Sequence, residues 1–313
     1  MDKKKYAMHR PGARNDSRAG MRLPEWVKVK NSVGLRDTKT LLRRFGLSTV
    51  CEEARCPNRG ECFSIPAAAF MILGSKCTRN CAFCAVEFSL PNPPDRAEPE
   101  RVAMAAKKME LRYVVITSVT RDDLHDGGAG HFAETVSAVR THIAGVKIEV
   151  LTPDFKGNRT SVDAVLLARP DVFNHNIETV SRLYRVIRPS AKYKRSLALL
   201  EYAKKTAPDI YTKSGLMLGL GESQGEVMNA LRDLRNAGCD FITIGQYLRP
   251  SKSNLPVVEY IHPGIFEKLR LAALCMGFAY AASGPLVRSS MNAGKMYNSV
   301  ESLPIPSMKN RPS

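Results

Sequence analysis

Six short apolar runs punctuate the chain, at 68–73, 113–118, 147–151, 172–175, 214–220 and 241–246. Most are continuous rather than alternating, the pattern of parallel strands buried on both faces. Between them, apolar residues recur at helical spacing over 131–143, 162–168, 194–205, 224–236 and 265–276, and Gly145, Gly238 and Gly277 stand where helix stops prefer glycine. Strand and helix alternate, which predicts an α/β fold with right-handed parallel crossovers. Six βα units are too few for a complete eight-stranded barrel, so the expected architecture is an open, partial TIM-type βα barrel. Chemistry in such folds sits on loops at the carboxyl ends of the strands, and the loop after the first strand, 74–85, carries three cysteines. Residues 1–66 show no strong periodicity, and residues 284–313 read as mostly irregular.

The composition suits a core-forming chain: of 313 residues, 44% are hydrophobic and 25% charged, which excludes a wholly disordered or fibrous protein. No apolar run approaches the roughly 18 residues of a membrane-spanning helix, so no membrane partner is expected. Lysine and arginine outnumber the acids 47 to 30, a formal charge of +17, which favours acidic partners. Part of the excess lies in the first thirty residues. That stretch lacks a secretory apolar core and, with Asp2, Asp16 and Glu25, is too acidic for a transit peptide; it reads as a flexible arm on a cytoplasmic protein. Nucleic acid would suit the charge, but a single tryptophan and sparse aromatics leave little for bases to stack on.

Cysteine placement changes the picture. Cys51, Cys56, Cys62, Cys77, Cys81 and Cys84 crowd together, while Cys239 and Cys275 stand alone and read as buried hydrophobes. In a reducing compartment such crowding points to metal rather than disulfides. Cys77-Thr-Arg-Asn-Cys81-Ala-Phe-Cys84 offers three thiolates from one loop, enough to hold three irons of a [4Fe–4S] cube and leave the fourth open. Structural zinc is the alternative, but zinc wants four closed ligands, and no histidine lies among these cysteines. Cys51-Glu-Glu-Ala-Arg-Cys56-Pro-Asn-Arg-Gly-Glu-Cys62 offers a second triplet and so a second cluster.

The CxxxCxxC at the end of a first βα strand resembles the signature of radical S-adenosylmethionine (SAM) enzymes. Joined to the second triplet, it resembles the lipoyl synthase family. The likeness continues through Ile116-Thr-Ser-Val-Thr-Arg-Asp-Asp-Leu-His-Asp-Gly-Gly-Ala129, Val172-Phe-Asn-His-Asn-Ile-Glu-Thr-Val180, Lys213-Ser-Gly-Leu-Met-Leu-Gly-Leu-Gly-Glu222 and Ser283-Gly-Pro-Leu-Val-Arg-Ser-Ser290, roughly residues 35 to 291. The resemblance implies that SAM binds the open iron of the Cys77/Cys81/Cys84 cluster and yields a 5′-deoxyadenosyl radical. An auxiliary cluster on Cys51, Cys56, Cys62 and a late serine, Ser290, would then give up sulfur. The products would be C–S bonds at C6 and C8 of an octanoyl chain on a carrier-domain lysine. Implied partners are octanoylated, acidic lipoyl carrier domains, a reductant such as ferredoxin or flavodoxin, and a carrier that reloads the spent cluster. SAM contacts are expected at Thr117, Ser118, Asn174, Asn176, Glu178 and Arg195, where barrel strands end. The sequence departs from the family at Met291, where the motif has tyrosine.

These readings divide the chain into a basic arm (1–34), an auxiliary-cluster segment (35–66), the barrel (67–282) and a C-terminal segment (283–313), the extensions covering the cavity. A tRNA methylthiotransferase would also use two clusters, but no appended RNA-binding domain is visible. A zinc-dependent nucleic-acid-binding module is the non-enzymatic alternative. Gly127-Gly128-Ala-Gly130 and Gly219-Leu-Gly221 fit no phosphate-loop spacing and read as tight turns, His175 as a hydrogen-bonded structural histidine, and Asp122-Asp123 as a solvated helix cap.

Overall fold

A computed structural model describes residues 23–28, 35–58 and 69–301 of the chain. Cys62, most of the arm and residues 302–313 lie outside the described residues. Leu35–Arg44 (α1) ends in Arg43 and Arg44, where cations oppose the helix dipole, and leads to a short strand, Ser48–Thr49 (β1). The Thr49 hydroxyl then caps Val50–Glu53 (α2) by accepting from the Glu52 N–H.

Ala69–Ile72 (β2) buries all four residues and pairs antiparallel with β1 on one edge. After it, two-residue strands Lys76–Cys77 (β3) and Glu87–Phe88 (β4) pair with each other and pin the ends of the cysteine loop. Six further strands follow: Tyr113–Ser118 (β5), Lys147–Leu151 (β6), Val172–Asn174 (β7), Tyr211–Leu218 (β8), Phe241–Gln246 (β9) and Tyr280–Gly284 (β10). They join β2 in one sheet of order β1-β2-β5-β6-β7-β8-β9-β10, parallel from β2 onward and open at both edges. The crossovers are Glu98–Lys108 (α3), Ala129–His142 (α4), Arg159–Leu167 (α5), Tyr184–Ile187 (α6) with Tyr193–Thr206 (α7), Gln224–Asn236 (α8) and Pro263–Cys275 (α9). The fold is the expected partial barrel of six βα units, completed by a seventh parallel strand, β10.

Three elements escaped the sequence pattern. α1 lies where no periodicity is apparent. α3 buries mostly alanines (Ala103, Ala105, Ala106) beside Val102, so its apolar stripe is faint. β10 reads Tyr-Ala-Ala-Ser-Gly, small residues rather than an apolar run, and it crosses the expected domain boundary at 282. The C-terminal segment is not wholly irregular either. Ala293–Asn298 (α10) packs Met296 and Tyr297, with Val300, against Val172, Tyr211 and Phe241, the first residues of β7, β8 and β9. The chain therefore leaves β10 at the carboxyl end of the barrel and closes the opposite end with α10.

Glycines at the β5–α4 junction make a turn, as their spacing predicts. Gly128 caps α4 at φ 90°, and any Cβ there would stand 2.3 Å from Leu73 Cδ1. The Asp126 carboxylate accepts from the N–H groups of Gly128 and Gly130, so these donors are occupied from within. Cys239 is buried as expected, but Cys275, the last residue of α9, is exposed.

Candidate active site

The cysteine loop is fastened on every side. Thr78 donates from its backbone and from its hydroxyl to Thr120 O, at 3.0 and 2.9 Å, and its hydroxyl accepts from the Asp122 N–H. Asn254 donates to Cys84 O at 2.8 Å, and the Ala82 N–H donates to Ile187 O. Arg79, two residues past Cys77, grips Asp122 with Nε and Nη2 at 2.7 and 2.9 Å and reaches Asp154 with Nη2 at 2.7 Å. Asp122 and Asp123 are thus not a solvated cap: Asp123 pairs with buried Arg121, and both carboxylates serve arginines.

Backbone N–H groups of Arg79 and Thr120 approach Cys77 Sγ at 3.4 and 3.3 Å. Burial pushes the thiol of Cys81 up to about 11 and that of Cys84 up to about 12. A desolvated thiol ionises when a metal takes the place of its proton, and N–H donors to sulfur are among the levers that tune an iron–sulfur cluster. Three cysteines on one loop, with no carboxylate between them, fit a cube with one open iron. Among the described residues no three His, Cys, Asp or Glu side chains gather as closely as the ligands of a single ion do. A cube requires no such convergence, because each thiolate takes its own iron.

Cys77, Cys81 and Cys84 line a cavity of about 760 Å³, and Cys51, Cys56 and Ser290 line the same cavity. Cys51 lies on α2, and the Cys56 N–H donates to Cys51 O at 3.0 Å. Buried Asn58 then joins this segment to the C-terminal one, donating from Nδ2 to Leu286 O at 2.5 Å and to Met291 Sδ at 3.2 Å. Met291, where the motif has tyrosine, thus meets Asn58 through its thioether sulfur. Burial disfavours the Arg288 charge, against a smaller favourable effect of the Cys56 sulfur, and its Nη1 donates to Val287 O at 2.6 Å.

Of the expected SAM contacts, Thr117, Ser118, Asn176 and Glu178 line the cavity. Asn174 and Arg195 do not. Asn174 is fully buried and spends Nδ2 on Glu149 Oε1 and Ser289 Oγ, and Arg195 gives Nε to Asp154 Oδ2 at 2.7 Å. Arg188, which carries no signal among 47 basic residues, stands in the cavity wall instead. Its Nη1 donates to Asn176 O, Ile177 O and the Tyr184 hydroxyl, while its Nε is buried with no partner among the described residues. Glu178, at φ 66°, adopts a left-handed conformation that is uncommon outside glycine, and burial raises its carboxyl. His175 lines the cavity too and is hydrogen-bonded as expected: Nδ1 donates to Thr152 O and Nε2 accepts from Ser196, both at 2.9 Å.

This fold and cysteine set define a radical SAM enzyme, and residues 71–245 match the radical SAM superfamily. Solved structures of the same fold include methylornithine synthase (TM-score 0.51, 16% identity, covering 79% of this chain and 74% of that one). Another is HydG, a maturase of the [FeFe]-hydrogenase (TM-score 0.54, 14% identity, 82% and 57%). Residues 2–56 match the N-terminal domain of lipoyl synthase. The lipoyl synthase of Rubrobacter xylanophilus is 54% identical over 272 residues, 86% of this chain and 85% of that protein. That of Methylococcus capsulatus is 53% identical over 296 residues, 91% and 92%. The chain belongs to the lipoyl synthase family; it is a sulfur-inserting enzyme that uses SAM and two [4Fe–4S] clusters.

Proposed function

We propose that Cys77, Cys81 and Cys84 hold the SAM-binding cluster, and that Cys51, Cys56, Cys62 and Ser290 hold the auxiliary one. The substrate is an octanoyl chain on a lysine of a lipoyl carrier domain, which receives sulfur at C6 and C8. Bound SAM supplies a radical able to break unactivated C–H bonds, and the auxiliary cluster supplies the sulfur. One observation carries the reading: Cys51, Cys56 and Ser290 share a single cavity with Cys77, Cys81 and Cys84.

The chain's own residues complete the assignment. Thr117, Ser118, Asn176 and Glu178 hold the polar groups of SAM, Arg188 brings a positive charge to the same wall, and Asn174 and Arg195 act from behind it. Met71, Val115, Leu216 and Met217 give the same cavity an apolar side for an aliphatic chain. The surplus of 17 positive charges favours encounter with acidic carrier domains. A ferredoxin- or flavodoxin-like reductant and a cluster-reloading carrier complete the set of partners. No helix among the described residues is long and apolar enough to cross a membrane, and we place the enzyme in the cytoplasm.

Single turnover on an octanoyl-lysine peptide tests the reading. Wild-type protein is expected to insert sulfur while Cys56→Ala and Ser290→Ala stall. Normal rates in both variants would remove the auxiliary cluster as donor.

A further inference from the structure

Lys213 and Glu149 form a wholly buried ion pair, Nζ lying 2.9 Å from both carboxylate oxygens. Burying such a pair contributes little stability, since desolvation offsets the attraction and apolar side chains do as well or better. Its retention inside the barrel therefore asks for another role, and its hydrogen bonds supply one. The Glu149 carboxylate also accepts from the Tyr113 hydroxyl at 2.9 Å and from Asn174 Nδ2 at 2.7 Å. The second hydrogen of that amide goes to Ser289 Oγ at 2.9 Å, and Ser289 Oγ donates in turn to Asn176 Oδ1 at 3.0 Å.

We propose that Glu149, Lys213 and Asn174 are positioning residues that occupy the Ser289 hydroxyl, so that of two adjacent serines only Ser290 is offered to the cavity. The proposal rests on Ser290 being a cluster ligand. A carboxylate only accepts, so it fixes the Asn174 amide with nitrogen toward Glu149. That orientation makes Ser289 an acceptor from Asn174 and turns its own proton to Asn176. Ser289 is thereby spent in both senses, whereas Ser290 has no hydrogen-bond partner among the described residues and lines the cavity. On the other side, Val287 O lies 2.2 Å from where a Cβ on Gly245 would stand, so the segment is seated against β9 as well. The charge pair reads out, through one amide, which hydroxyl is free.

The test uses Ser289→Ala and Asn174→Leu, with Ser289→Thr as the conservative rescue. In iron-free full-length protein, amide exchange at 287–290 is expected to accelerate about tenfold in the first two, the scale of one lost hydrogen bond, and to return to within about twofold of wild type in Ser289→Thr. Exchange unchanged within about twofold in both deletions would overturn the proposal. In anaerobically reconstituted protein, Mössbauer spectra should show the oxygen-ligated iron site of wild type diminished in Ser289→Ala and restored in Ser289→Thr. A spectrum in Ser289→Ala indistinguishable from wild type overturns it too. Ser290→Ala separates the two readings. If that variant keeps the wild-type spectrum, Ser290 is no ligand and the selection proposed here falls with that reading, whereas loss of the site in Ser290→Ala with Ser289→Ala unaffected overturns the selection alone.

Discussion

Arg79 and Asp154 meet at 2.7 Å in the interior, and the second oxygen of the same carboxylate takes Arg195 at 2.7 Å. The cysteine loop is thus bound by charge to the loop after β6 and to the first turn of α7. The two guanidiniums hold the Asp154 carboxyl well below the usual carboxylate range despite its burial.

Asp154→Asn leaves both arginines facing an uncharged partner. Breaking a buried pair costs about 3–5 kcal/mol, and that loss is expected in iron-free protein as a lower urea midpoint with unchanged slope. Arg195→Gln should cost less, because Arg195 is partly exposed and Arg79 still pairs with Asp154. The sign with pH follows from the depressed carboxyl. Its stabilisation is complete above the unfolded value of about 3.9 and is lost only as pH falls through the folded one, so neutral pH leaves it intact.

His175 sets a second pH window. Burial, and then the charge of Arg188, pushes its imidazole down to about 4, against roughly 6.5 in an unfolded chain. Between those values the unfolded state binds a proton that the native state refuses, so stability falls as pH drops from about 6.5 to 4, by about 3 kcal/mol in all. Denaturation of wild type and His175→Gln across pH 4–8 checks this: their difference should slope inside the window and be flat above it. Parallel curves would refute it.

Gly245→Ala tests the seating of the C-terminal segment. The added methyl would stand 2.2 Å from Val287 O and 3.1 Å from Arg288 Nη1, too close for either to remain in place. Overpacking of this kind costs about 1–3 kcal/mol. We expect that loss in a thermal melt, together with less iron bound at the auxiliary site than at the SAM site. Equal iron at both sites would show that the segment accommodates the methyl.

Thiol reactivity reports the burial of the cysteine loop. With Cys81 pushed up to about 11, about one thiol in a thousand is ionised at pH 8, against roughly one in four for an ordinary thiol. Iodoacetamide at pH 8 should therefore label exposed Cys275 in iron-free protein well before Cys81 and Cys84. Labelling at equal rates would mean that the loop opens without iron.

The limits of Tyr113–Ser118, Lys147–Leu151 and Phe241–Gln246 coincide with apolar runs because a parallel strand covered on both faces has no polar side to show. β10 hid from that criterion behind alanine, serine and glycine, which the crowded approach of the C-terminal segment tolerates. Asp154 and Arg188 gave no signal for a different reason. A lone charged residue looks like solvated surface until its burial is known, and burial is a property of the packed chain.

The cysteine triplets were legible from residue type and spacing alone, because ligand chemistry is local and three thiolates on one loop serve few other ends, whereas the serine pair drew attention only through the family resemblance. Which of these groups share a cavity was decided by packing. Ser289 and Asn176 lie 113 positions apart and meet only because the chain, leaving β10, runs back along the barrel before α10 closes its far end. Periodicity acts over a few residues and names the elements. Convergence of distant polar groups depends on crossovers whose geometry no local pattern records.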